Sequence, residues 1–426
     1  MIKGAKGGYM AEKDLSGRNV ILGLQHTFVM FGATVLVPIL TGLDVGVTLF
    51  AAGIGTLLFH IVTGFKVPVF LGSSFAFIPG IIAVGASEGI PYALGGIVIA
   101  GLLYVVVAII FKFVSYDNIH KILPPHVTGP MIILIGMILA PVAVQNANGT
   151  NAKAIADMIG TNGCWAVALF TFAVGVFVKI AFPKFGWKFA SNLPVLIALI
   201  AGYILSIIIG IVDFKTVGEA AWIGIPKFSL PKFSASAISI MVPIAIVTMV
   251  EHFGDILAIG NVVGKDFIKD PGIHRTLIGD GLATSLAALI GGPANTTYSE
   301  NTGAVALTGA YNPIIMRIAA IFAILLSLVP KFTALIGTIP APVIGGISIL
   351  LFGMISSIGI KNMVDAKVNL SNPKVLIITA TMLVLGLGGA TFKLGPINLS
   401  GLGLSAIFGV VLNLILRPKD ATGSEG

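Results

Sequence analysis

A chain of 426 residues with 56% hydrophobic and only 10% charged residues cannot clothe a water-facing surface, because soluble proteins carry about 25% charged residues. Most of its surface must face lipid. The net charge of +8 does not point to nucleic acid, since its distribution reads as a topology signal, and the single cysteine, Cys164, excludes an intrachain disulfide and a cysteine-based metal cluster.

Apolar stretches of roughly 20 residues, each long enough to cross the hydrocarbon layer, recur along the whole chain. About 14 are expected, in chain order near 19–41, 45–65, 68–86, 91–114, 124–146, 163–182, 190–212, 238–262, 276–291, 294–309, 312–330, 338–358, 374–391 and 399–416. The first 18 residues are polar and lack the apolar core of a cleavable signal. The first span is therefore the expected insertion signal. With a cytoplasmic N-terminus, only Lys153, Lys215, Lys227, Lys232, Lys331 and Lys393 fall outside. All other Lys and Arg residues, from Lys3, Lys6, Lys13 and Arg18 to Arg417 and Lys419, fall inside. This positive-inside bias predicts that both termini are cytoplasmic.

Polar residues interrupt a few of these spans. The first carries Gln25-His26 at mid-depth. The third carries Gly72-Ser73-Ser74-Phe75-Ala76-Phe77-Ile78-Pro79-Gly80, and the fifth has Pro125, Gly129 and Gly136. The eighth contains Glu251-His252 and Asp255. Asp280, flanked by Gly279 and Gly281 near the start of the ninth, is expected to meet interfacial water. The tenth holds Asn295-Thr296-Thr297-Tyr298-Ser299-Glu300-Asn301-Thr302-Gly303, and the twelfth has Pro342, Gly346 and Gly353.

These features repeat. Gln25-His26 matches Glu251-His252, Ser-Ser-Phe at 73–75 matches Thr-Thr-Tyr at 296–298, and the Pro, Gly, Gly spacing of the fifth span returns in the twelfth. The order is kept and the offset is nearly constant. It covers seven predicted spans, an odd number, so the second half is expected to be inverted relative to the first. Inverted repeats place the substrate site near the bilayer midplane. The boundary falls near residue 235, with 213–237 as an external connecting segment that holds Trp222 and Pro226.

Glu251, Asp255, Asp280 and Glu300 are the acids predicted to lie within spans. A charge at the membrane centre costs about 2.5–3.5 kcal/mol or more, so such residues usually serve a site. Glu251 and Asp255, four apart, share one helix face. Two carboxylates that close resist ionising together, which suits uptake and release of a proton. Alternatively each acid is paired with a neighbouring helix. Segments 67–77 and 292–301 read as extended stretches followed by half-helices, tolerated at this depth only where protein buries them or they line a cavity. They could pair as a short antiparallel ribbon. Half-helices starting there would offer free N–H groups to carbonyl oxygens, and nearby carboxylates would suit N–H donors. Phe75 and Tyr298 could stack on a flat ring or simply pack. The site suits a planar solute with alternating C=O and N–H groups. His26 and His252 read either as hydrogen-bonded scaffold or as ligands. No zinc-type spacing, P-loop, dinucleotide fingerprint or nucleophile triad is evident, so no metal or cofactor is expected.

Gln25-His26 with Phe31 to Pro38, Leu71 to Phe77, and Asn295 to Gly303 running on to Thr308-Gly309 closely resemble the nucleobase–ascorbate transporter (nucleobase:cation symporter-2) family, and within it the bacterial uracil permeases. The resemblance covers about residues 17–417. It implies an all-helical membrane protein of 14 spans in two inverted sets of seven, with short antiparallel strands in spans three and ten. The implied layout is a tail at 1–18, a core domain at 19–114 and 238–330, a gate domain at 124–212 and 338–416, the connecting loop at 213–237 and a tail at 417–426. A bacterial-type cytoplasmic membrane and a homodimer with gate domains in contact are implied.

The resemblance further implies uptake of uracil or a related nucleobase with a proton as coupling ion. By position, Glu251 and Glu300 would hydrogen-bond the base, Phe75 and Tyr298 would contact its ring, and Ser299 would offer its backbone N–H. Glu251, Asp255 and His252 would serve proton coupling, with Gln25, His26, Ser74, Asn301 and Ser348 in support. Ser299 stands where uracil permeases often have Gly, Asp255 where some have His, and Phe352 where some have Tyr, whereas Glu300 favours the uracil branch. Competing readings are a xanthine or guanine permease of the same family, a passive channel, which should show a polar stripe on many helices, and an intramembrane enzyme, for which no nucleophile or metal set is found.

Overall fold

The computed structural model describes residues 16–113, 123–395 and 397–418. Most of both terminal tails lies outside the described residues, as do the side chains of Ser299 and Glu300. The chain is largely helical. Helix α1, Gly17–Thr41, starts where the Ser16 side chain accepts the Asn19 N–H at 3.3 Å and stops at Gly42, whose φ of 76° ends the helix. Helix α2, Val45–Val62, is capped by Asp44, which accepts the Val47 N–H at 2.8 Å. Strand β1, Leu71–Ser73, and a 3-10 turn at Phe75–Phe77 then lead into α3, Ile78–Ser87, and α4, Ile90–Phe111. The next helices are α5, Pro125–Ala147, α6, Lys153–Ala181, α7, Pro194–Ile208, and the short α8, Lys215–Glu219. The predicted connecting loop therefore contains a helical turn.

Helix α9, Ala235–Val263, is capped by Ser234, which accepts the Ala237 N–H at 3.0 Å, and ends at Gly264 with φ 76°. It is followed by α10, Ile273–Leu289, strand β2, Asn295–Thr297, and α11, Ser299–Thr308. The expected eleventh span, 312–330, is filled by α12, Pro313–Ser327, and at its end the chain turns by 84° into α13, Pro330–Gly337. Pro330 lacks the N–H needed to continue the helix. Helix α14, Ala341–Asp365, and α15, Pro373–Leu387, precede a hairpin of β3, Thr391–Leu394, and β4, Ile397–Ser400, that hydropathy does not reveal, and α16, Gly401–Leu416, closes the chain. Among the described residues seven helices are long and apolar enough to cross a membrane, or eight if the bent pair is one span.

Helices α1, α2, α4, α9, α10 and α12 pack on one another, and so do α5, α6, α7, α14, α15 and α16. Without a hydrophobic drive inside lipid, such packing depends on small residues that admit close backbones. The α5–α14 crossing shows this: a Cβ on Gly136 would lie 2.2 Å from the Phe352 carbonyl oxygen. Between the two groups, Ser239 near the start of α9 accepts the Asn398 N–H at 2.8 Å and donates to the Asn398 carbonyl at 3.3 Å, joining α9 to β4.

Candidate functional site

Strands β1 and β2 pair antiparallel, with Leu71 opposite Thr297, Gly72 opposite Thr296 and Ser73 opposite Asn295. The Ser74 N–H extends the ladder to the Ala294 carbonyl at 2.8 Å. All six strand residues are buried. A buried two-stranded ribbon has two outer edges whose backbone groups need partners. On the β1 edge, Thr56 of α2 accepts the Leu71 N–H at 2.9 Å and donates to the Leu71 carbonyl at 3.2 Å. His60, one turn further on, meets the Val69 carbonyl at 3.0 Å. On the β2 edge, Thr284 of α10 donates to the Asn295 carbonyl at 2.5 Å, and the Asn295 amide donates to the Ala51 carbonyl at 2.9 Å. The Tyr298 hydroxyl returns to the Ser73 carbonyl at 2.9 Å. Gly72 makes room for that ring, since a Cβ there would lie 2.4 Å from Tyr298 Cζ.

Beside the ribbon lies a cavity of about 480 Å³. Ser73, Phe75, Thr296, Thr297 and Tyr298 line it from the ribbon, and Glu251 and Asp255 from α9. Its opposite wall is Thr128 of α5 with Lys361, Asn362 and Asp365 at the end of α14. Lys361 and Asp365 pair at 3.1 Å and are well exposed, so the cavity opens at that end. The Phe75 ring meets the Phe352 ring edge-on at 6.2 Å.

Helix α9 divides its polar residues between two faces. Glu251 and Asp255 border the cavity, while His252 is fully buried behind them. Thr297 donates to the Asp255 carboxylate at 2.8 Å and lies 3.5 Å from His252 Nδ1. His252 Nδ1 is 3.4 Å from Asp280 Oδ2, and Thr296 reaches the same oxygen at 3.5 Å. Asp255 and Asp280 are thus linked through Thr297 and His252 along the outer side of β2. Asp280 is completely buried, not at the interface. The glycines on either side of it permit this depth by letting α10 approach its neighbours: a Cβ on Gly281 would lie 2.4 Å from Tyr104 Cβ. Tyr104 in turn hydrogen-bonds Thr248 of α9.

Of the residues singled out in the sequence, Glu251, Asp255, Phe75 and Tyr298 come together at the cavity. Tyr298 is tied by its hydroxyl to β1, which fixes its ring. His252 belongs to the buried chain behind the wall. His26 is buried and lies 3.4 Å from Thr308, while Gln25 is half-buried on the same helix, and neither lines the cavity. Ser74, Asn301 and Ser348 are buried, and the Ser74 and Ser348 hydroxyls and the Asn301 amide have no hydrogen-bond partner among the described residues. Ser299 and Glu300 begin α11 immediately after the ribbon. The sequence showed Thr296 and Thr297 only as part of the repeated motif and Asp280 as an acid at a span margin, and gave none of the three a role at the site. No spacing in the sequence pairs these threonines with the acids, which stand on α9 and α10. Among the described residues no group of three or more His, Cys, Asp or Glu is placed to hold a metal ion.

Residues 17–395 match the profile of a permease family, the xanthine and uracil permeases. The chain belongs to that family, the nucleobase–ascorbate transporters. It is 43% identical over 411 residues to a probable uracil permease of Haemophilus influenzae, covering 96% of this chain and 97% of the relative. It is 43% identical over 417 residues to the uracil permease of Bacillus subtilis, covering 95% of each. Among solved structures the fold is similar to the transmembrane domain of the cyanobacterial bicarbonate transporter BicA, with a TM-score of 0.63 at 18% identity over 95% of this chain and 98% of that one. It is also similar to murine Solute Carrier 26 family member A9 in its inward-facing state, with a TM-score of 0.71 at 12% identity over 96% of this chain and 69% of that one. With its apolar helices, family membership makes the chain a multi-pass membrane transport protein. The family and the relatives' names denote permeases and not enzymes.

Proposed function

We propose that this permease imports uracil by proton symport, with alternating access between a core and a gate domain. The observation that carries the reading is the cavity wall. Thr296–Tyr298 and Phe75 meet Glu251 and Asp255 there, in a chain 43% identical to uracil permeases over most of its length. In this reading a flat ring lies between Phe75 and the ribbon. Carboxylates at Glu251 and Glu300 accept its N–H groups, and the backbone N–H groups that start α11, including that of Ser299, donate to its carbonyls. His26, which reaches Thr308 of α11, and Gln25 support the surrounding helices, while the buried polar groups of Ser74, Asn301 and Ser348 support the site by remaining available to the solute or its water.

In this reading the chain crosses the bacterial cytoplasmic membrane 14 times as two inverted sets of seven, with both termini cytoplasmic. Spans one to four and eight to eleven form the core domain, and the remaining spans form the gate, through which two copies associate. The open end of the cavity at Lys361 and Asp365 is then the cytoplasmic one. The Ser239–Asn398 contact lies on the external side, so the molecule faces inward. Asp255, Glu251 and His252 handle the coupling proton, and the Asp255–Thr297–His252–Asp280 chain gives that proton a second carboxylate out of reach of water. A neutral carboxyl crosses the dry region between domains at lower cost than an unpaired charge.

Labelled uracil uptake into vesicles, with and without an imposed proton gradient, tests both halves of the reading. Uptake should rise above equilibrium only with the gradient acid outside. Equilibration indifferent to the gradient would remove symport, and competition by xanthine but not uracil would change the substrate. Glu251→Gln and Glu300→Gln should each abolish accumulation while the protein still inserts.

A further inference from the structure

A second cavity, of about 770 Å³, lies where α4 ends, α9 ends and α10 begins. Three lysines from separate positions converge on it: Lys112 after α4, and Lys265 and Lys269 in the turn between α9 and α10. Among the described residues Asp266 is the one acid that lines it. That carboxylate is already engaged, pairing with Lys269 at 3.4 Å and accepting the backbone N–H groups of Ile268 and Lys269 at 3.1 and 3.2 Å. Asp270 close by is paired with Lys66. The rim therefore carries net positive charge. The floor is apolar, formed by Phe111, Ile256, Leu257 and the buried Phe267. A basic rim over an apolar floor at a helix-end surface matches a phosphate joined to an acyl chain, and juxtamembrane lysines attract anionic lipid headgroups.

We propose that this cavity binds an anionic phosphate group, held by Lys112, Lys265 and Lys269, and that its occupancy is felt in the substrate cavity. The link is short. Leu257 lines both cavities, and Phe111 beside the basic cavity stacks edge-on at 5.6 Å with Phe253, which lines the substrate cavity. Both Leu257 and Phe253 stand on α9, the helix that carries Glu251 and Asp255. A headgroup drawing Lys112 toward the turn after α9 steadies that helix between its two cavities. The binding claim is independent of the transported solute, whereas the effect on uptake rests on the transport reading above.

The test uses the purified full chain in neutral detergent micelles, titrated with phosphatidylglycerol, with phosphatidylcholine, and separately with inorganic phosphate. A ligand of the folded state raises the melting temperature in proportion to its occupancy. Phosphatidylglycerol should raise it by several degrees more than phosphatidylcholine at equal mole fraction, and Lys112→Gln/Lys269→Gln should lose most of that difference. Protection by inorganic phosphate as strong as by phosphatidylglycerol would assign the site to a free phosphate. Protection by phosphatidylglycerol alone would assign it to a lipid. Equal shifts from both lipids would overturn the site, as would an equal loss on neutralising Lys184 and Lys374, which line neither cavity. In vesicles of phosphatidylcholine and phosphatidylethanolamine, adding phosphatidylglycerol should raise uracil uptake severalfold in the parent and not in the double variant. An equal rise in the variant would overturn the coupling while leaving the symport reading intact.

Discussion

Leu71–Ser73 and Asn295–Thr297 lie side by side in register, yet the two strands meet different chemistry. The β1 edge is satisfied by a hydroxyl and an imidazole, Thr56 and His60 of α2. The β2 edge is likewise held by a hydroxyl, Thr284 of α10, but the threonine side chains of β2 reach two buried acids and a histidine: Asp255, Asp280 and His252. One strand is anchored as scaffold, and the other is wired to groups that can change charge. A ribbon built from two matching segments thus supplies a shared geometry, while the chemistry sits on the side of the second.

The comparison breaks most completely at the scaffold. Gly72→Val places a branched side chain where the Tyr298 ring lies and where the Thr34 hydroxyl is 2.9 Å from the added Cβ. Overpacking of this kind costs about 1–3 kcal/mol, occasionally more, and here it strikes the cross-ribbon hydrogen bond as well. Folded, monodisperse protein should fall to a small fraction of the parent in size-exclusion profiles. A normal profile with normal uptake would show that the ribbon tolerates separation.

Next comes the wiring. Asp280→Asn keeps the volume and removes the ability to carry charge. Uptake driven by a proton gradient should fall by about tenfold or more, equivalent to about 1.4 kcal/mol in the rate-limiting barrier, with insertion and melting temperature nearly unchanged. Retention of gradient-driven uptake would make Asp280 a packing residue. A loss of melting temperature in step with activity would do the same.

The difference between the edges was only partly legible in the sequence. Gly, Ser, Thr and Asn in otherwise oily stretches announce irregular backbone at 67–77 and 292–301, because helix would leave those side chains facing lipid. Register is not written there. It is set by which partners on α2 and α10 reach the strands, and those lie far away in sequence. Glu251 and Asp255 were legible because four-residue spacing puts both on one helix face. Asp280 was misread because hydropathy treats two flanking glycines as a span margin, whereas they are what allows Tyr104 and α10 to pack closely around a buried acid. Helix α13 and the β3–β4 hairpin escaped notice because both lie largely in expected connections, after residue 330 and between 391 and 399, where hydropathy marks the end of a span and not what the chain does next.

A milder change sharpens the contrast from the β1 side. Thr56→Val removes both the donor and the acceptor that serve Leu71 while keeping the shape. Leaving those buried backbone groups unsatisfied should cost about 1–3 kcal/mol of stability. The expected signature is a lowered melting temperature with the KM for uracil and the response to the proton gradient unchanged. A lost gradient response would mean that the β1 edge also takes part in coupling.

The smallest expected effect lies where the ribbon meets the opposite helices. Phe352 of α14 touches Phe75 edge-on and is buried, so the wall facing the half-helix after β1 is apolar at this point. Phe352→Tyr adds one hydroxyl at the ring edge. If that hydroxyl reaches the bound base or its water, it contributes about 0.5–1.5 kcal/mol, which is about a two- to tenfold fall in KM for uracil. If it is instead buried without a partner, the same magnitude appears with the opposite sign, as a raised KM or a lowered melting temperature. The parent and variant KM values, measured beside the two melting temperatures, separate these outcomes. A fall in KM at constant stability would place the solute against α14 as well as against β2, so that loading the site pulls the two helix groups together. No change in either quantity would mean that the ring contact is a closed seam the solute never meets, and that substrate recognition belongs to the ribbon and α9 alone.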